Sequence, residues 1–263
     1  MTVAEIIDEL LSHEEYSFSW NEIIQKSTKP EIALKRELSR LVEKGMVINL
    51  RKAFYLIIPP RYKNFGILPI ELYIDKLFKY LQKDYYLALY SAAKFHGAGH
   101  QQIQKNYVIT ELPPIFKIKR KEIIIDFFHI SNWPNKNIIK KKSDAGYFHV
   151  SSPALTMVDI VHHHRKLGGL NRTFTVLEEL IEELTVSDIK ELLSWYPFKS
   201  TIQRTGYLLE ELSADQSLIN IFYKFLKKSN FYQIPLSPQK ESSGIINSKW
   251  KINENVELSS DLT

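Results

Sequence analysis

The 263-residue chain contains no cysteine, which removes disulfides, thiolate metal sites and cysteine nucleophiles together. Long apolar runs are missing too. The longest, FYLIIPP and EIIIDFF, fall far short of the roughly 20 residues a helix needs to span a bilayer, so a membrane protein is not expected. No basic-then-apolar segment opens the sequence in the manner of a secretory signal, and the cytoplasm is the expected compartment. There is no GxxxxGK[ST] loop, no GxGxxG, no GxSxG elbow and no HExxH, so nucleotide-loop, dinucleotide, serine-hydrolase and zincin chemistries lack their usual residues. Neither an enzyme nor a cofactor is expected.

What is present is apolar residues at 44% and aromatic residues at 12%, enough for one large core or two moderate ones. Charge is spread unevenly behind a net value of +5. Residues 1–25 hold six acids and no Lys or Arg, whereas residues 26–63 hold ten Lys/Arg against Glu31, Glu37 and Glu43. A second basic stretch runs from Ile115 to Lys142, and Val176 to Leu193 is acidic. A charge run taken alone is as readily a solvated face as a binding surface.

In the first sixty residues, a hydroxyl cap with Glu three residues later satisfies two orphan amides reciprocally. Thr2 with Glu5, Ser19 with Glu22 and Thr28 with Glu31 fit that rule and predict three helix starts. Gly45 ends the third helix, as a C-terminal glycine does. MVINL and AFYLII follow as two strands joined through Arg51-Lys52, which predicts a hairpin. Three helices and a hairpin in this order are the layout of a winged helix-turn-helix. On the third helix Leu34, Leu38, Leu41 and Val42 form one stripe, while Lys29, Ala33, Arg36 and Arg40 face the other way. A helix lying in the major groove needs such a basic face, and a wing tip can reach phosphate or the adjacent minor groove. The candidate DNA contacts are therefore Thr28, Lys29, Arg36 and Arg40, with Arg51 and Lys52 on the wing. A winged helix that binds protein instead is the alternative.

Beyond Pro59-Pro60 and RYKNFG, which read as a linker, LPIELYIDKLFKYLQ is helix-like, and so is YYLALYSAAKFHGAGHQ, ended by Gly97 and Gly99. KNYVIT, IFKIKR, EIIIDFFHI and YFHVS read as strands. Ser152 caps a helix with Pro153 at its first position, and further helices are expected at 171–184, 186–195, 199–212 and 215–228. The fold class is α+β: an N-terminal winged helix-turn-helix, then a mixed domain with a strand group before a helix group. The expected divisions are 1–63, 64–235 and a polar segment 236–263, in which Trp250 and Val256 are candidates to anchor one strand.

His162, His163 and His164 point about 100° apart around a helix, whereas two metal ligands on one face need a spacing of three or four. Asp159 has that spacing to His162 and His163, yet a further ligand has to come from elsewhere, so no metal site is expected. His162 is expected to pack beside Leu155, Val158 and Val161, with His164 on the surface. His96 and His100 read as helix-end residues without a nucleophile. Asp126 stands alone in its strand, and KRKEIIID puts its lysines before the acid, the wrong order for a metal-dependent nuclease. A pocket gathering Asp126, Asp159 and histidines is the mark an enzyme would carry.

Four phrases in order, LSRLVEKGMVINLRKAFYLIIPP, YYLALYSAAKFHGAGHQ, VSSPALTMVDIVHHHRKLGGL and QRTGYLLEEL, resemble the AbiEi family of antitoxins from bacterial abortive-infection (type IV) toxin–antitoxin systems. One departure is visible: Lys52-Ala53-Phe54-Tyr55 stands where family members usually have a glycine before the aromatic pair. The resemblance implies a winged-helix domain that represses its own operon at inverted repeats in promoter DNA. It also implies a C-terminal domain that counteracts a nucleotidyltransferase-like toxin. Under it, the basic stretch 115–142 either extends the DNA footprint or engages the toxin's nucleic-acid substrate. The rival reading is a protein–protein module that binds the toxin directly with little DNA binding.

Overall fold

The computed structural model describes residues 1–63, 67–99, 105–241 and 243–259; His100 and residues 64–66 of the RYKNFG stretch lie outside them. The chain divides into two compact units, one from Met1–Leu87, Gln104–Trp133 and Lys140–Val150, the other from Ala88–Ile103, Pro134–Ile139 and Ser151–Thr263.

The first unit opens with α1 (Val3–Ser12), β1 (Ser17–Ser19), α2 (Trp20–Lys26), α3 (Glu31–Glu43), β2 (Val47–Arg51) and β3 (Phe54–Ile57). Thr2 and Ser19 close two of the expected capping boxes, each side chain accepting the amide of the Glu whose carboxylate takes the cap's own amide. The third box does not form, because α3 begins at Glu31 with Pro30 as its cap and no side-chain bond there. The residue before a proline is driven out of the helical region, so Lys29 cannot be the first helical residue and Thr28 stands too far back. Val3, Ile6, Ile7, Leu10, Ile23, Leu34 and Leu38 bury together with Phe18, Val47 and Ile57. The strands order as β1-β3-β2, antiparallel throughout. With the three helices they form an N-terminal helix/strand group. β1 has no counterpart in the sequence reading: Ser17-Phe18-Ser19 is buried along its whole length, and three residues carry no alternation.

α4 (Pro60–Lys63), α5 (Ile74–Leu81), β4 (Tyr85–Leu87), β5 (Asn106–Glu111), β6 (Ile118–Arg120), β7 (Ile123–Ile130), β8 (Ile138–Ser143) and β9 (Gly146–Ser151) come next. Their sheet runs β6-β7-β5-β4-β9-β8, with β5 parallel to β7 and β4 parallel to β9. One expectation needs correction, and one strand stood outside the sequence reading. Tyr85–Leu87 is a strand rather than the start of a helix, pairing with Val108–Thr110. And Ile138-Ile139-Lys140-Lys141-Lys142-Ser143 is a strand at the sheet edge, a place where lysines discourage pairing with a foreign strand.

The second unit contains α6 (Leu89–Phe95), α7 (Pro153–His163), α8 (Leu170–Leu180), α9 (Val186–Leu193), α10 (Lys199–Glu211) and α11 (Gln216–Lys228). α7 is its central helix. Every residue from Ala154 to Val161 is buried, and Ser152 caps it through the Leu155 amide with Pro153 in the first turn, as expected. Asp188 of the acidic stretch accepts the Ala154 amide at 2.8 Å and the Asn137 side-chain amide at 2.6 Å, so this carboxylate is structural. The C-terminal stretch supplies β10 (Ile234–Pro235), β11 (Ile245–Asn247) and β12 (Ile252–Glu254), ordered β10-β12-β11. Trp250 anchors it and is fully buried, while Val256 lies beyond the last strand and is half-buried. The Gln203 amide donates to the Trp250 carbonyl at 2.6 Å, and Glu210 accepts from the indole N–H and from Lys249.

Candidate nucleic-acid interface

α2 and α3 are separated by Ser27-Thr28-Lys29-Pro30, the short connection a helix-turn-helix needs. The acids that crowd residues 1–25 are largely occupied in holding this unit together. Glu9 pairs with Lys26 at 2.8 Å, and Lys76 bridges Glu15 and Glu22 at 2.5 and 2.8 Å. Burial alone would raise the Glu22 pKa, but hydrogen bonds from Lys76 and Ser19 hold it below its ordinary value. The sharp change of charge sign along the sequence is thus partly cancelled by folding.

On α3, Arg36 and Arg40 are exposed one turn apart, and neither forms an ion pair among the described residues. Lys35 pairs with Glu31 at 2.7 Å and sits 5.8 Å from the Trp20 ring centre. The exposed stripe through the two arginines continues to Ile32, which is 68% exposed, and to Ser39 and Glu43. Ile32 and Ser39 are absent from the sequence reading although they stand four residues before and three after Arg36. The spacing was there to use, but an isoleucine on an amphipathic helix reads as core. Ala33, expected in the middle of this face, is half-buried at its margin.

The remaining candidates divide into free and engaged groups. Thr28 and Lys52 are exposed, and Lys52 lies in the turn between β2 and β3, where its carbonyl accepts the Tyr80 hydroxyl at 3.2 Å. Lys29 is half-buried and donates to Glu37 at 2.6 Å, while Glu37 also accepts the Val3 amide at 2.9 Å. Those two bonds, Lys29 first, hold the Glu37 pKa below its usual value. Arg51 ends β2, half-buried, with Nη1 buried and without a hydrogen-bond partner among the described residues. Beside it Ala53 occupies the left-handed region at φ +56°. That is the conformation glycine adopts without steric cost, and it falls at the position where the sequence departs from the AbiEi pattern.

No group of three His, Asp or Glu side chains suited to a metal occurs among the described residues. His162 stacks on Phe198 with ring centres 4.4 Å apart and its Nδ1 meets the Thr201 hydroxyl at 3.0 Å. His164 is buried, not on the surface as expected, with Nδ1 2.8 Å from the Val161 carbonyl. The helix ends at His163 and tightens into a 3-10 turn from His164 to Lys166, which turns the third ring inward. Burial lowers the pKa of all three histidines, that of His163 to about 3. His96 is buried, its Nε2 2.8 Å from the Ser151 carbonyl. Asp126 pairs with Lys117 at 2.8 Å, and no helix among the described residues is long and apolar enough to cross a membrane.

Comparison with known proteins gives three results. A search of curated proteins finds no match. Among solved structures, the chain is similar to the crystal structure of RV2827C protein from Mycobacterium tuberculosis, with a TM-score of 0.67 and 16% identity, over 95% of this chain and 89% of that one. At that identity the likeness speaks for the fold alone. Residues 86–211 match the family model described as AbiEi antitoxin C-terminal domain. Residues 86–211, a little under half of the chain, thus carry an AbiEi antitoxin C-terminal domain, which supports the role of an antitoxin in a toxin–antitoxin system.

Proposed function

We propose that the protein is the antitoxin and autorepressor of a phage-defence operon, acting in the bacterial cytoplasm. Residues 1–63 bind inverted repeats in its own promoter, residues 64–235 counteract a nucleotidyltransferase-like toxin, and residues 236–263 form an ancillary segment. The observation that carries this reading is the exposed pair Arg36 and Arg40 on α3. Two guanidiniums one helical turn apart suit guanine edges or flanking phosphates in a major groove. Ile32 on the same stripe suits a thymine methyl, and Ser39 a base edge or phosphate.

The other contacts follow from their surroundings. Thr28 and Lys52 reach backbone phosphate from the two ends of the helix–wing surface. Lys29 contributes by giving up Glu37, and Arg51 by swinging out of a setting where one of its nitrogens lacks a partner. Both are therefore weaker contacts than Arg36 and Arg40. The test is operator affinity of Arg36→Ala and Arg40→Ala. A side chain that reads a base costs about 1–3 kcal/mol when removed, and one that touches phosphate lowers the salt slope by about one. Unchanged affinity and slope in both variants would remove the assignment.

A further inference from the structure

Within the second unit, a groove of about 670 Å³ runs between α9 and α11. Its α11 wall recurs at helical spacing from Ser217 through Ile221 and Phe225 to Lys228, a face other than the one that buries Leu218, Ile219, Phe222 and Leu226. The wall spans three turns, roughly 17 Å at the rise of an α-helix. Leu193 of α9 shares the apolar floor, and Val186 at the start of α9 is exposed despite being apolar. Around this floor stand Lys190, Lys224 and Lys228, with no carboxylate among the lining residues. None of the three lysines forms an ion pair among the described residues.

We propose that this groove receives an acidic amphipathic helix of a partner protein, three turns long. An apolar stripe at i, i+3/i+4 and i+7 would lie on Leu193, Ile221 and Phe225, with Asp or Glu side chains on either flank meeting the lysines. Charge complementarity selects this occupant. A basic helix would face three like charges in a groove without a compensating acid, which costs affinity. A nucleic-acid backbone has no use for an apolar floor. The proposal is independent of the DNA-binding reading, since it uses no residue of α3 or the wing.

The test uses the full chain and two labelled peptides, one with Leu and Glu at helical spacing and one with every Glu replaced by Lys, followed by fluorescence anisotropy. The acidic peptide should bind saturably, at least about tenfold more tightly than the basic one. In the triple variant Lys190→Glu, Lys224→Glu, Lys228→Glu, that preference should reverse, and binding of the basic peptide then shows the variant is folded. Absent or equal binding of the two peptides, or a preference unaltered by the triple change, would overturn the proposal. Two further losses in the triple variant would also overturn it by naming another occupant: lost promoter binding points to phosphate, and lost self-association to a second copy.

Discussion

At the scale of single residues, Ala53 is held at φ +56° in the turn between β2 and β3, a conformation costing an L-residue roughly 1–2 kcal/mol that glycine avoids. Glycine gives back part of this through a freer unfolded chain. Ala53→Gly is therefore expected to stabilise by about 0.5–1 kcal/mol, seen as a higher urea midpoint at unchanged m-value; a lower midpoint would show that the turn does not carry this strain. The histidines make a second prediction. Their folded pKa values lie below 6.5, that of His163 at about 3, so below pH 6.5 the unfolded chain takes up protons that the folded rings refuse. Stability contributed by the neutral rings is present above pH 6.5 and is lost as pH falls toward 3, with a slope of up to about 1.4 kcal/mol per pH unit per histidine. Denaturation at pH 7.5 and 5.5 should show that loss, smaller in His163→Asn. Equal stability of the natural protein at both values would contradict it. The sequence reading placed His164 on the surface, because helical geometry was carried one residue beyond the point where α7 tightens into a 3-10 turn. Thr28 shows a related limit: the capping pattern was present, but Pro30 moved the helix start past it.

At the scale of elements, helices with a side-chain cap and an apolar stripe were legible almost residue by residue, α7 from Ser152-Pro153 being the clearest. Long apolar strands such as Ile123–Ile130 were legible, whereas the three-residue apolar strand Tyr85–Leu87 read as helix and polar strands did not stand out. Ser17–Ser19 is too short to alternate, and Ile138–Ser143 hides behind three lysines that an edge strand tolerates. The most consequential contact lay outside any local pattern. Gly206, inside α10, reads as a weak helix position, since alanine there gains about 1 kcal/mol from propensity. In the structure a Cβ at Gly206 would lie 2.3 Å from the Trp250 indole. Gly206→Ala is thus expected to destabilise, by about 1–3 kcal/mol as overpacking does, lowering the melting temperature. A stabilised variant would show that Trp250 does not rest on α10. Only tertiary packing reveals why a helix keeps this glycine.

At the scale of the whole molecule, composition bounded the answer by exclusion, and the ordered phrases in residues 38–60 and 85–212 supplied the resemblance. The candidate DNA contacts were legible as residue types at helical spacing. Which of them stand free was not, because the Lys29–Glu37 pair and the partly buried setting of Arg51 are made by tertiary packing. Nor was the net charge a guide to binding. The acids of residues 1–25 and the bases that follow partly neutralise one another across α1, α2 and α5, so any DNA affinity has to come from a few exposed cations, not from bulk charge. That makes the most direct measurement a comparison of this protein's affinity for its own upstream promoter and for a scrambled duplex of equal length, across several salt concentrations. The account predicts a preference for the promoter of about 10³ or more, lost in Arg36→Ala/Arg40→Ala. Equal and steeply salt-dependent binding to both duplexes would reduce α3 and the wing to a generic basic surface and contradict the claim of an autorepressor.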